Sequence, residues 1–132
     1  MNPCIVVVGD PLMQVWLENL LPSLEKSSIP VIVVINPSAS IPEIMDDYLN
    51  GLPSPPFQIL FNTVDSYEVG ALKYALEHTT FTDFLLLQCS TYVKDVEMLV
   101  SFFSEEYSIM ITEHYGSLMG IYKREFLEQV PF

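Results

Sequence analysis

The sequence predicts an α/β fold: a mostly parallel sheet with crossover helices on both faces and a small closing hairpin, of the Rossmann-like kind. Short, uninterrupted apolar runs rich in β-branched residues alternate with segments whose apolar residues recur every three or four positions. The runs are typical of strands buried on both faces, and the spacing is typical of helices with one buried side. Their alternation predicts parallel strands joined by right-handed crossovers. The 132 residues, half of them hydrophobic, suffice for one core, so a single domain is predicted over residues 1–132.

Six strands are predicted, at residues 4–8, 31–35, 57–61, 84–89, 108–112 and 117–122. The first four should be parallel neighbours, because a helical segment separates each from the next. The last two are close enough to form an antiparallel hairpin around His114, Tyr115 and Gly116. The residues predicted to form the core of the sheet are Val6, Val8, Val33, Ile35, Leu60, Leu85 and Leu87.

The helices are predicted from apolar stripes and capping residues. Pro22 should kink or divide the first helix, and a last helix is expected over residues 123–130. Ser40, Asp65 and Asp95 are the predicted caps of the second, third and fourth helices. The four stripes are Met13, Trp16, Leu17, Leu20, Leu21 and Leu24; Ile44, Met45, Tyr48 and Leu49; Val69, Leu72, Ala75 and Leu76; and Val96, Leu99, Val100 and Phe103. Trp16, Phe102 and Phe103 fit either the core or an interface, including one in a homo-oligomer, and their helical spacing favours the core.

The charge balance restricts the partners of this chain. There are 17 acidic residues against 5 basic ones, a net charge of −12. Nucleic acids and anionic membrane surfaces are therefore not expected as partners, because both would be repelled. A phosphate ligand would have to be held by backbone amides, by a metal, or by the few cations. These cations are Lys26, Lys73, Lys94, Lys123 and Arg124.

The cysteines and the hydropathy pattern indicate the cellular compartment of the protein. No apolar run approaches the length of about 20 residues that spans a bilayer, and the first residues do not resemble a signal peptide. Cys4 and Cys89 both lie in apolar runs, where free buried thiols are expected. A cytoplasmic protein without a disulfide is therefore predicted.

A ligand site is expected beyond the carboxyl ends of the strands, where open α/β sheets bind their ligands. Small polar residues follow each predicted strand there, although turns and helix caps use the same residue types, and Asp65 fits a cap better than a ligand contact. The sequence has no Gly-rich phosphate loop and no G-x-S-x-G elbow, and His78 and His114 show no metal-ligand spacing with the cysteines. A receiver-type phosphorylation domain fits poorly, since Asp10 is alone and the third strand ends in Asn62.

Three segments together resemble the GT-A glycosyltransferases, in particular small family-2-like proteins of phages and bacteria. The first is FNTVDSYEVGALKYALEHT (residues 61–79), in which a strand ending in Asn leads to a helix opening with Glu-x-Gly-Ala-x-Lys. The second is DFLLLQCSTYVKD (residues 83–95), similar to the segment that ends the family's fourth strand with a short acidic motif. The third is YGSLMGIYKREFLEQV (residues 115–130), similar to a Gly-x-Tyr-Arg-Arg-x-x-Leu stretch. The resemblance covers nearly the whole chain.

The resemblance implies a protein that binds a nucleotide sugar or nucleoside diphosphate and transfers the sugar to an acceptor. It implies Glu113 as the candidate acceptor base, and His114, or Lys123 with Arg124, as a source of positive charge for the phosphates. Gly9, having no side chain, is expected to leave room for the ligand. The nucleotide-binding candidates are Val8, Gly9, Asp10, Asn36, Asn62, Asp65, Gln88, Cys89, Ser90 and His114.

The chain departs from the family at the metal motif. Cys89 stands where the family keeps a carboxylate for Mn²⁺ or Mg²⁺, and a thiol is a poor ligand for a hard cation. Metal binding is therefore expected to be weak, and no cofactor is assigned. Two hypotheses remain, an active glycosyltransferase and an inactive GT-A-like binding or assembly module. Cys89 is also open to a simpler interpretation, as a small buried hydrophobe that closes a strand.

Overall fold

The computed structural model describes residues 1–10, 12, 14–37, 43–63, 67–103, 109–111 and 119–131. Within these ranges strands and helices alternate until the last two strands, as the sequence predicts. In chain order the elements are β1 (Pro3–Gly9), α1 (Gln14–Leu24), β2 (Val31–Ile35), α2 (Glu43–Asn50), β3 (Phe57–Phe61), α3 (Tyr67–His78), β4 (Asp83–Gln88), α4 (Val96–Val100), β5 (Ile109–Ile111), β6 (Gly120–Lys123) and α5 (Arg124–Leu127).

In the described part of the chain, the strands form one sheet in the order β3-β2-β1-β4-β6-β5. The first four are parallel, and Val7 of β1 pairs with Val33 on one side and Leu87 on the other. The last two are antiparallel to each other, and β6 also lies antiparallel against β4. The predicted parallel sheet and its closing hairpin are confirmed.

The sheet has a hydrophobic core on each face. Ile5 and Val7 point into a cluster with α1, α2 and α4, whereas Cys4, Val6 and Val8 point into a cluster with α3 and α5. This alternation follows from the two-residue period of a strand, and it confirms that helices cover both faces. Of the predicted core residues Leu60 alone is only partly buried, because β3 lies at an edge of the sheet.

Three of the four predicted helical stripes were too wide. Trp16, Ile44 and Val69 are exposed, whereas Leu17, Met45 and Leu72 beside them are buried. Phe102, which was not part of a stripe, is also exposed. Adjacent helix positions are about 100° apart, so a helix on one face of a sheet buries a narrower band than three- and four-residue spacing admits. Phe103 is half-buried.

Three local predictions on the helices have different outcomes. Asp95 caps α4 as expected, because its Oδ1 accepts a hydrogen bond from the Met98 amide at 3.1 Å. Pro22 does not divide α1, which continues through it to Leu24. The last helix is shorter than predicted and ends at Leu127. Met13, Ser40 and Asp65 lie outside the described residues. None of the described helices combines the length and the apolar character that a bilayer crossing requires.

Candidate functional site

The carboxyl ends of four adjacent strands form a continuous row of candidate residues. The backbone N–H of Asn36 donates to the Gly9 carbonyl at 2.8 Å, and the backbone N–H of Asn62 donates to the Ile35 carbonyl at 2.9 Å. On the other side of β1, Gln88 is in register with Val8. The order β3-β2-β1-β4 therefore brings Asn62, Asn36, Gly9 and Gln88 to one edge, as the sequence predicts.

Two buried amide side chains lie at the β3–β2 end of this row. Nδ2 of Asn62 donates to Oδ1 of Asn36 at 3.1 Å, and each residue is 6% exposed. The bond fixes the orientation of both amides, because turning either group over would place two like atoms against each other. A buried amide without its hydrogen bonds is costly, so this pair holds the ends of β2 and β3 in a fixed arrangement.

Gly9 and Val8 both serve the packing of β1. A Cβ atom added to Gly9 would lie 2.9 Å from Cδ1 of Ile35 and 3.1 Å from Cδ1 of Leu17. The absence of a side chain at Gly9 therefore makes room for these two core residues. The sequence analysis explained the glycine differently, as leaving room for a ligand. Val8 is buried in the cluster beneath α3, so its side chain has little surface to offer a ligand.

Asp10 has a structural role in the turn after β1. Its Oδ1 accepts a hydrogen bond from the Leu12 amide at 2.8 Å, the pattern of a side chain that mimics a backbone turn. The residue is half-buried at the start of the loop. Its carboxylate lies at the carboxyl edge, with one oxygen already engaged.

The residues after β4 differ sharply in exposure. Gln88 is half-buried and Ser90 is exposed, whereas Cys89 is 6% exposed and belongs to the core cluster beneath α1. Within the described ranges, no three His, Cys, Asp or Glu side chains lie close enough to hold a metal ion. A buried thiol does not suit Mn²⁺ or Mg²⁺, so the described residues do not fit the metal of the resembled family. Asp65, Glu113 and His114 lie outside the described residues.

Lys123 and Arg124 lie at the opposite edge of the sheet, so their expected contact with phosphates is wrong. Lys123 pairs in register with Asp83, the first residue of β4, and therefore lies at the amino edge. The reason is that β6 runs antiparallel to β4, so the last residue of β6 lies at the edge where β4 begins.

A polar cavity beside Asn62 was missed by the sequence reasoning. It has a volume of about 220 Å³ and lies between the end of β3 and α3. Its lining consists of Asn62, Thr63, Gly70, Lys73, Tyr74, Glu77 and His78. Lys73 is partly exposed and pairs with Glu77 at 3.8 Å, while the rings of Tyr74 and His78 stack at 3.8 Å. The polar positions 73, 77 and 78, on the flank of α3 opposite its apolar stripe, could have revealed it.

The comparisons with known proteins support the fold. No protein-family model matches the chain, and no curated protein sequence matches it. Among solved structures, TarS 1–349 of S. aureus superposes with a TM-score of 0.63 and 16% identity over 97% of this chain. TarS 1–349 in complex with UDP-GlcNAc gives a TM-score of 0.64 at 14% identity. HddC from Yersinia pseudotuberculosis gives 0.64 and 14% over the whole of this chain and 81% of its own.

These likenesses concern the fold. The chain has a glycosyltransferase-like α/β fold, in agreement with the resemblance found in the sequence. It spans about half the length of the TarS 1–349 structures, 48% in the first comparison.

Proposed function

We propose that this chain binds a nucleotide sugar at the carboxyl edge of its sheet and transfers the sugar to an acceptor, as a small family-2-like glycosyltransferase. The observation that carries the proposal is the row of Gly9, Asn36, Asn62 and Gln88 at one edge, with the two asparagine amides held by a mutual hydrogen bond. Open α/β sheets bind ligands at this edge. The crystallisation of TarS with UDP and with UDP-GlcNAc supports the choice of ligand.

Lys73 is the cation that we assign to the diphosphate. It lines the cavity that Asn62 shares with α3, whereas Lys123 and Arg124 lie at the other edge. A positive charge stabilises the diphosphate both as a ligand and as a leaving group. In the transfer step, a carboxylate takes the proton of the acceptor hydroxyl. The hydroxyl oxygen bonds to the anomeric carbon as the bond from that carbon to the nucleoside diphosphate breaks. Glu113 remains the predicted base.

A second candidate is a nucleotide-sugar-binding module without catalytic activity. The buried thiol of Cys89, standing where the resembled family has a metal-binding carboxylate, favours it. Binding is common to both candidates, and release of the nucleoside diphosphate separates them.

Calorimetric titration with UDP, GDP and UDP-GlcNAc, with and without Mn²⁺, tests the binding. Lys73→Gln should weaken binding of the nucleotide severalfold, because the variant removes the cation assigned to the phosphates. Lys26→Gln is the matched control, since Lys26 is an exposed lysine beyond the end of α1. Equal affinities of the two variants and the unmodified chain would contradict the role of Lys73, and absence of all nucleotide binding would contradict the proposed function.

A further inference from the structure

The outer edge of β3 is an open edge of the sheet. Among the described strands, β3 lies at one end of the order and pairs with β2 alone. On that side the Pro56 carbonyl accepts a hydrogen bond from β2 at 2.8 Å, and the backbone N–H of Asn62 donates to β2 at 2.9 Å. Because successive residues of a strand direct their backbone groups to opposite sides, those of Phe57, Ile59 and Phe61 point outward.

Most of these outward backbone groups have no partner within the chain. The N–H of Phe57 donates to the Pro53 carbonyl at 3.1 Å, so the start of the edge is closed by the preceding turn. In the described part of the chain, nothing bonds to the outward N–H and C=O groups of Ile59 and Phe61. Phe61 is also 43% exposed. The second half of β3 therefore offers the donors and acceptors that another strand would pair with.

The β3 edge lacks the features that usually prevent two strand edges from pairing. Natural edge strands carry charged residues, prolines or bulges, whereas residues 57–61 contain neither charge nor proline. The uncharged stretch extends over residues 48–64, and the nearest charged positions along the sequence are Asp47 and Asp65. In a chain of net charge −12, this is a place where a second copy can approach without setting like charges against each other.

We propose that β3 pairs antiparallel with β3 of a second copy of this chain, across a two-fold axis at Leu60. Ile59 then forms a hydrogen-bonded pair with Phe61 of the second copy, and Phe61 with its Ile59, so every open N–H and C=O group of these residues gains a partner. A register centred on Ile59 would instead direct the second copy at the N–H of Phe57, which Pro53 already occupies. The two sheets become one continuous sheet.

The proposed pairing also buries apolar side chains on both faces of the joined sheet. Ile59 packs on the core beneath α1 and α2, and Leu60 packs on the core beneath α3. The exposed ring of Phe61 comes to lie beside Ile59 of the second copy, and the Leu60 side chains meet at the two-fold axis. The same register sets Gln58 of the second copy opposite Asn62, which lines the cavity between β3 and α3.

Sedimentation equilibrium of the full chain, with variants at position 59, tests the pairing. Ile59→Pro removes an outward N–H that the β2 ladder does not use, a place where an edge strand tolerates proline. Ile59→Ala is the matched control, because it loses the same side chain and keeps the N–H. The unmodified chain should dimerise, and the dimer of Ile59→Pro should be at least about tenfold weaker than that of Ile59→Ala. Circular dichroism checks that both variants are folded.

Cysteine cross-linking tests the register without disturbing the backbone. In the proposed pair, residue 60 lies opposite itself with Cβ atoms about 4.5–5.5 Å apart, so Leu60→Cys should form a disulfide-linked dimer with oxidised glutathione. Gln58→Cys is the control, because the second copy's residue 58 lies about 14 Å away along its strand. The natural thiols Cys4 and Cys89 are buried and present in both variants.

A dimer that Ile59→Pro weakens selectively, with cross-linking by Leu60→Cys and little by Gln58→Cys, is the expected result. A chain that stays monomeric at every concentration would overturn the proposal, even if its β3 edge pairs with a strand of another protein. A dimer that Ile59→Pro leaves as strong as Ile59→Ala does would overturn it too. Cross-linking by Gln58→Cys as efficient as that by Leu60→Cys would overturn the register.

Discussion

Lys123 and Asp83 form an ion pair at the amino edge of the sheet. Nζ of Lys123 lies 2.9 Å from Oδ2 of Asp83, whose side chain is 3% exposed, and the hydroxyl of Thr82 donates to the other carboxylate oxygen at 2.7 Å. The pair joins the start of β4 to the end of β6 across forty residues of sequence. Lys123, which the sequence analysis named as a source of positive charge for the phosphates, is therefore paired with Asp83 instead.

Replacing Asp83 should destabilise the fold without changing nucleotide binding. Asp83→Asn keeps an acceptor for Thr82 but leaves the half-buried ammonium of Lys123 without its counter-charge, at a cost of about 1–3 kcal/mol. Urea denaturation measures the loss. The exposed pair of Lys73 and Glu77 is the control, and Glu77→Gln should cost less than about 0.5 kcal/mol. A loss for Asp83→Asn no larger than that would show that the buried pair contributes little.

Arg124 should be a structural residue that anchors the end of α3. Its guanidinium donates to the carbonyls of Leu76, Thr79 and Phe81 at 3.0, 2.8 and 2.6 Å and lies 5.4 Å from the ring centre of Phe84. Arg124→Lys cannot reach all three carbonyls, so we expect a loss of about 2–3 kcal/mol in unfolding free energy, measured by urea denaturation. Nucleotide affinity should not change, and a selective loss of affinity in a stable variant would restore the phosphate role.

Cys89→Asp should destabilise the chain and should not create a metal site. The thiol is buried in the core beneath α1, where a new carboxylate would have to be desolvated. We expect a loss of several kcal/mol, against about 1 kcal/mol for the control Cys89→Ala. Denaturation of both variants and titration with Mn²⁺ and UDP measure the two effects. Metal-dependent nucleotide binding by Cys89→Asp would instead identify a lost metal site.

Alkaline pH should weaken the fold partly through Cys4. Burial raises the pKa of the Cys4 thiol well above its ordinary value of 9.0, the charge of Asp83 adds to this effect and Arg124 opposes it. The unfolded chain loses this proton more readily, so stability is complete below about pH 9 and falls as the pH rises further. Denaturation between pH 7 and 10 should show a smaller decline for Cys4→Ala. Tyr48 and Tyr122, whose pKa values burial also raises, contribute with the same sign at higher pH.

Gly9→Ala should affect packing more than ligand binding. The added methyl group would press on the ends of the Ile35 and Leu17 side chains, which can shift, so a cost of about 1–2 kcal/mol is expected. Thermal denaturation measures this cost, and titration with UDP measures the affinity. A stable variant that no longer binds UDP would return Gly9 to its predicted role beside the ligand.

The sequence by itself determined the order of the elements, the parallel sheet with its closing hairpin, and the edge at which Gly9, Asn36, Asn62 and Gln88 meet. These features follow from local periodicity. A strand buried on both faces is a continuous apolar run, and an amphipathic helix has apolar residues at a spacing of three and four, so both can be recognised in a short stretch of sequence. The same periodicity could not limit the width of a buried stripe, so Trp16 and Ile44 were assigned to helix faces that turned out to be exposed.

The tertiary structure alone decided the contacts between residues far apart in the chain. The amide bond between Asn36 and Asn62 depends on β2 and β3 being neighbours in register, and the Asp83–Lys123 pair depends on β6 lying antiparallel against β4. The need for glycine at position 9 likewise comes from the side chains of Leu17 and Ile35, which pack against it from a helix and a neighbouring strand. Such contacts arise from the packing of whole elements, and no local pattern in the sequence records them.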